Sequence, residues 1–183
     1  MKRLALPMAL FSVIFWAGKP GPAQEKSDPW ADYRFLLGDW VGEGEGEPGK
    51  ATAQFAFATE LDGKVLVRKH RAEIPAAGGR PAAKHEDLLI VYRGTDGKRT
   101  KAIYFDNEDH VIQYTVTPSD DKKSLVFLSD PDPSAPRFRL TYTKDKDESL
   151  KIKFEFAPPG KPDEFKTYVE GSARKKTGKE KGK

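Results

Sequence analysis

The sequence predicts an all-β fold: an antiparallel up-and-down β-barrel of about ten strands, closed on itself, with a short N-terminal helix. Three observations predict it. Beyond Trp40 apolar residues recur at every second position, the pattern of strands with one face buried. Turn-forming clusters, among them "GTDGK", "DNED", "PSDDKK", "DPDPSAP", "KDKDE" and "PPGKPD", separate these runs. Nothing between the runs reads as a crossover helix, so sequential strands pair antiparallel, and a meander of that length curls and closes to remove its edges.

The elements follow in order. Residues 1–23 read as a secretory signal: Lys2 and Arg3 precede an apolar run from Leu4 to Gly18, and small Ala23 stands before the polar "QEKSD". That run is about 15 residues, short of the ~20 that span a bilayer, and Pro7 interrupts it. Cleavage after Ala23 is therefore expected, leaving no integral membrane span in a secreted or periplasmic protein. Residues 24–39 hold the helix, with Ser27 or Asp28 as cap and Pro29 at its first position. Ten strand segments follow within 40–173. The first is Trp40 to Glu47, then "ATAQFAFATEL", which "DGK" joins to "VLVRKHRAE" as a two-residue hairpin. Next come "DLLIVYR", "TKAIYFD", "HVIQYTVT", "SLVFLS", "RFRLTYT", "LKIKFEFA" and "FKTYVEG". The thirteen-residue connection Ile74 to Glu86 exceeds what a hairpin needs. Residues 174–183, rich in Lys and Gly, read as a solvated basic tail.

Composition narrows the function. The chain has no cysteine, which excludes disulfides, thiolate nucleophiles and thiolate metal sites. Its pI near 9.1 suggests nucleic acid, but the excess of basic over acidic groups lies at the two ends. Residues 24–173 carry 23 basic against 27 acidic side chains, so no nucleic-acid partner is expected.

Alternation assigns faces. Phe138, Leu140 and Tyr142 share the inner face of their strand, and Phe55 and Phe57 that of theirs. Trp40, Gly42, Gly44 and Gly46 share one parity, opposite Glu43, Glu45 and Glu47. Glycine on the concave side lets a strand bend sharply and lets other chain approach closely.

Gly38-Asp39-Trp40, following a short helix and opening the first strand, resembles the calycin group, the lipocalins and fatty-acid-binding proteins. The longer string from Gly38 to Pro48 is closer to the nitrobindin-like haem-binding barrels and to exported bacterial families of lipocalin-like shape. The resemblance implies a barrel that encloses a small molecule. It also implies a basic residue of the last strand, Lys166 or Arg174, over Trp40. Nitrobindin-like proteins hold haem through a histidine late in the barrel; no histidine follows His110 here, so haem is disfavoured and no cofactor is expected.

The parity of "VLVRKHRAE" turns Arg68 and His70 inward, and that of "HVIQYTVT" does the same for His110 and Tyr114. An inward Arg68 flanked by these histidines and tyrosines would suit a carboxylate or phosphate head group. The alternative sets Arg68 and His70 at the rim with their heads in water. Two inward histidines with Asp106 or Glu108 would suit a metal, but gaps of 15 and 25 residues between the histidines match no ligand motif, and no metal site is expected. "KHED" and "FDNEDH" offer acid–base groups, read as turn residues, and no catalytic residue is assigned. The expected function is non-catalytic binding of a small hydrophobic or amphipathic ligand by Arg68, His70, His110, Tyr114, Phe55, Phe57 and Tyr142. The alternatives are a packed envelope protein, or an acid–base isomerase or hydrolase using the same cavity.

Overall fold

The computed structural model describes residues 28–47, 49–146 and 148–176; the segment 1–23 expected to be a signal, and the tail from 177, lie outside them. Ten antiparallel strands close into one barrel, each bonded to its sequence neighbours and β1 to β10. They are β1 (Gly38–Gly46), β2 (Ala51–Glu60), β3 (Val65–Ile74), β4 (Ala83–Arg93), β5 (Thr100–Asp106), β6 (Val111–Pro118), β7 (Ser124–Ser129), β8 (Arg137–Lys144), β9 (Ser149–Ala157) and β10 (Lys166–Lys175). Each segment expected from alternation is one strand of this barrel.

The helix is a single 3-10 stretch, Ala31–Leu36. It starts later than expected: Trp30, with no side-chain cap, is the N-cap and Pro29 precedes it, while Asp28 ties the turn before the helix by accepting the Trp30 backbone N–H at 2.9 Å and the Arg34 Nε–H at 2.6 Å. Trp30 at the N-cap and the helix's own Tyr33 and Leu36 plug one end of the barrel, buried in the core with Trp40. The Trp30 indole donates to the Gly63 carbonyl at 2.8 Å and the Trp40 indole to that of Leu36 at 2.7 Å, so both buried N–H groups are satisfied. From this plug the core continues through Leu66, Leu89, Val91, Leu125, Phe127 and Leu150.

Three local expectations change. The β2–β3 connection is a four-residue turn with Leu61, Asp62 and Gly63 all at positive φ, since β2 pairs Glu60 with Val65. The long connection between β3 and β4 shrinks to 75–82, because β4 begins at Ala83 and the chain reverses at Gly78 and Gly79, both at positive φ. β10 takes in Arg174 and Lys175, and it is Lys175, not Lys166 or Arg174, whose Nζ stands 5.7 Å from the Trp40 ring centroid.

The alternating glycines lie on the seam that closes the barrel. β1 pairs with β10 so closely that a Cβ on Gly42 would stand 2.6 Å from the Ser172 carbonyl oxygen. One on Gly46 would overlap the Tyr168 carbonyl, and one on Gly171, opposite Gly44, the Glu43 carbonyl. Gly44 has more room, 3.2 Å to the nearest atom. The crossing chain expected above the glycines is thus the last strand itself.

Candidate functional site

Away from the 3-10 helix, the inner wall turns polar. β3 and β4 run in a register that sets His70 opposite Asp87 and Ala72 opposite His85. Alternation sends Arg68, His70, His85 and Asp87 inward, and β5 adds Tyr104 beside them. Asp87 is the hub. One carboxylate oxygen accepts from the Arg68 guanidinium, and the other lies 2.7 Å from His70 Nδ1 and 3.4 Å from His85 Nε2. The second nitrogen tip of Arg68 donates to the Tyr142 hydroxyl, while its Nε is buried with no partner among the described residues. His85 continues the network: its Nδ1 is 2.9 Å from a Glu108 oxygen and its Nε2 is 3.0 Å from the Tyr104 hydroxyl. Tyr104 in turn donates to Asp106 at 3.2 Å.

Charge states follow from these contacts. Burial disfavours the Asp87 carboxylate, but Arg68 and the two imidazoles outweigh it and hold the carboxyl well below its ordinary range. Burial likewise opposes the Arg68 charge, and Asp87 more than restores it. Burial, with Arg68 near by, lowers the His70 pKa against the pull of Asp87, so His70 is neutral at pH 7. Because a carboxylate only accepts, the His70 hydrogen sits on Nδ1 and the Nε2 lone pair is free of it. His85 goes the other way: its hydrogen bond to Asp87 wins over burial and, with Glu108 adding, lifts it to about 9. Burial and the Asp87 charge push the Tyr104 hydroxyl far up, so it stays a phenol.

Arg68 is no rim residue: its side chain is 7% exposed and that of Asp87 2%. Nor is its guanidinium open to an anionic head group, since Asp87 and Tyr142 already hold it. Of the other residues expected at a site, Phe55, Phe57, Tyr114 and Tyr142 are buried in the inner aromatic cluster. Phe57 and Tyr142 meet edge to face at 5.5 Å, and Phe55 lies 6.1 Å from His70. His70 joins the network. His110 reaches only its outer edge: β6 starts one residue after it, and it sits in the β5–β6 turn, 59% exposed, with Nδ1 2.9 Å from the Asp106 oxygen that also accepts from Tyr104, and it touches neither Asp87 nor Arg68. His85 and Asp87 take the inner positions that sequence reasoning overlooked, because "KHED" read as turn and is strand. The Gly78-Gly79 pair was the signal for that strand, since two residues at positive φ make a tight hairpin turn.

Above the ionic cluster the inner wall is apolar yet only partly covered. Ile112 from β6, Phe138 from β8, and Ile152 and Phe154 from β9 pack on the core but retain solvent exposure. Phe138 and Phe154 stack at 5.8 Å, and Tyr168 meets Phe154 edge-on at 6.1 Å.

The fold and the wall together define a closed antiparallel ten-stranded barrel with an inward ionic cluster at one end. No protein-family model matches the chain, and no curated protein does. Among solved structures it is similar to an S-type phycobiliprotein lyase from Guillardia theta, with a TM-score of 0.46 and 10% identity over 79% of this chain and 90% of that one. It is also similar to a protein of unknown function of the DUF3598 family from Nostoc punctiforme, with a TM-score of 0.31 and 7% identity over 81% of this chain and 99% of that one.

Proposed function

We propose that this chain is an exported binding protein that takes a small amphipathic molecule into the barrel end opposite the 3-10 helix. The apolar part of the ligand lies against Ile112, Phe138, Ile152 and Phe154, and its polar part faces His70 and His85. One observation carries the reading. A barrel filled by its own side chains buries every inward apolar residue, as happens near the helix, where Leu66, Leu89 and Leu125 are fully buried. At the other end four inward apolar residues keep contact with water, beside two half-buried imidazoles. An apolar lining with a few convergent polar groups is the ordinary makeup of a small-molecule site. Arg68 supports the wall and is not the head-group anchor.

Titration with fluorescent acyl and aromatic probes tests the reading. The parent should bind one probe per chain. Ile112→Trp, which fills the mouth, should weaken binding at least about tenfold, a loss of roughly 1.4 kcal/mol. Val111→Trp, on the exposed outer face next to it, should change nothing. Absence of saturable binding by the parent, or equal binding by Ile112→Trp, contradicts the proposal.

Export rests on the short basic start, the apolar run that Pro7 interrupts and the small Ala23 before a polar stretch. The intact mass of protein recovered from the periplasm or medium should begin at Gln24. A mass retaining residues 1–23, in the membrane fraction, contradicts export.

A further inference from the structure

Among the described residues, His70, His85 and Asp87 each offer one donor atom, and the three lie within 4.8 Å of one another. We propose that they form a binding site for a divalent transition-metal ion, with Zn2+ the ion the donor set suits best. Two imidazole nitrogens and one carboxylate oxygen are borderline donors that favour zinc and its neighbours over Ca2+ or Mg2+, which take oxygen. Donors about 2.0–2.1 Å from a tetrahedral ion stand ~3.3 Å apart. His85 Nε2 and the Asp87 oxygen, 3.4 Å apart, already have that separation. His70 Nδ1, at 2.7 Å from the same oxygen, needs to open by roughly 0.6 Å as its hydrogen bond gives way to the ion.

The surroundings are those of a metal centre. All three residues stand on two paired strands, which fixes their spacing. Arg68 holds the other Asp87 oxygen and so orients the carboxylate. Glu108 accepts from His85 Nδ1, which leaves Nε2 as the ligating atom, the carboxylate–histidine arrangement found behind bound zinc. Binding moves the His70 hydrogen from Nδ1 to Nε2, so that ring stays neutral, and His85 gives up its Nε2 hydrogen to solvent. Three protein donors leave a fourth position for water or the Tyr104 hydroxyl, 3.0 Å from His85 Nε2. The assignment does not depend on any organic ligand in the mouth.

The test uses the exported protein without an affinity tag, stripped with chelator and titrated calorimetrically with ZnCl2, CoCl2, CaCl2 and MgCl2. One Zn2+ should bind per chain with micromolar or tighter affinity, Co2+ should give the visible bands of a tetrahedral site, and Ca2+ and Mg2+ should give no heat. His70→Gln and His85→Gln should each weaken Zn2+ at least about tenfold and abolish the cobalt bands. His110→Gln, on the exposed turn, should bind as the parent does. Failure to bind Zn2+ below millimolar concentration overturns the proposal, as does unchanged binding by both site variants. If either variant fails to fold, electron paramagnetic resonance of the Cu2+-loaded parent decides. Coupling to two imidazole nitrogens supports the site, and coupling to fewer overturns it.

Discussion

Arg68 keeps its charge inside the barrel wall because Asp87 is there to meet it, and neither group tolerates loss of the other. Their desolvation is severe, so removing one partner leaves an uncompensated buried charge, at a cost of about 3–5 kcal/mol. The two halves are not equivalent. Arg68→Ala leaves Asp87 with two imidazoles, whereas Asp87→Ala leaves Arg68 with only the Tyr142 hydroxyl. Asp87→Ala should therefore lower the urea midpoint more, and Arg68→Met combined with Asp87→Leu should recover most of the loss; equal midpoints for the two single variants would contradict this account. A second pair lies on the outer face, where Arg139 donates two hydrogen bonds to Glu155 at 2.6 and 2.9 Å under the Phe165 ring, and Lys153 adds a third contact. Hydrogen bonds from Arg139, outweighing burial and joined by Lys153, hold the Glu155 carboxyl below its ordinary 4.5. A group depressed on folding stabilises fully above its unfolded pKa and loses that contribution as pH falls through the folded value. The stability difference between parent and Glu155→Gln should thus be constant from pH 7 to about 5 and shrink below it. A difference that grows on acidification would refute the assignment.

At the scale of elements, the β3–β4 hairpin makes the site and the β1–β10 seam makes the barrel. Once Gly78 and Gly79 are taken as the turn, antiparallel pairing sets Ala77 opposite Arg80, Ile74 opposite Ala83 and His70 opposite Asp87 without further information. The composition "IPAAGGRPAA" hides this, because Pro75 and Pro81 read as loop and alternation alone starts β4 at Asp87. Parity within strands was legible, and it placed Arg68, His70, Tyr114, Phe55, Phe57 and Tyr142 on the inner face. What parity cannot supply is the end of a strand. His110 shares the parity of Tyr114 but lies one residue outside β6, where the chain has already left the wall. Pairing between charges across strands needs the register as well as parity, so Asp87 becomes legible as the partner of Arg68 only once the Gly78-Gly79 turn has set that register. At the seam, the glycine alternation was legible as close approach, but its severity at each position was not. Gly171→Ala places a Cβ against the Glu43 carbonyl in mid-strand and should destabilise by ~1–3 kcal/mol. Gly44→Ala, with 3.2 Å of room, should cost less, and thermal melting of the two variants checks the order.

For the molecule as a whole, the two barrel ends differ in what fills them. The 3-10 helix and its N-cap supply Trp30, Tyr33 and Leu36 to one end, where Leu66, Leu89 and Leu125 are fully buried. The other end carries charge and imidazole on the β3–β5 wall and partly exposed apolar side chains on β6, β8 and β9, and the proposal of binding at that end rests on this asymmetry. The outer surface offers a rival apolar patch, because Phe105 and Val111, which pair across β5 and β6, are 38% and 59% exposed. Chemical-shift mapping of the isotope-labelled protein during titration with an acyl ligand separates the two most directly. The account predicts saturable shifts at Ile112, Phe138, Ile152, Phe154 and His70, with Phe105 and Val111 still. Shifts confined to Phe105, Val111 and their outer-face neighbours, or none at saturating ligand, would contradict it.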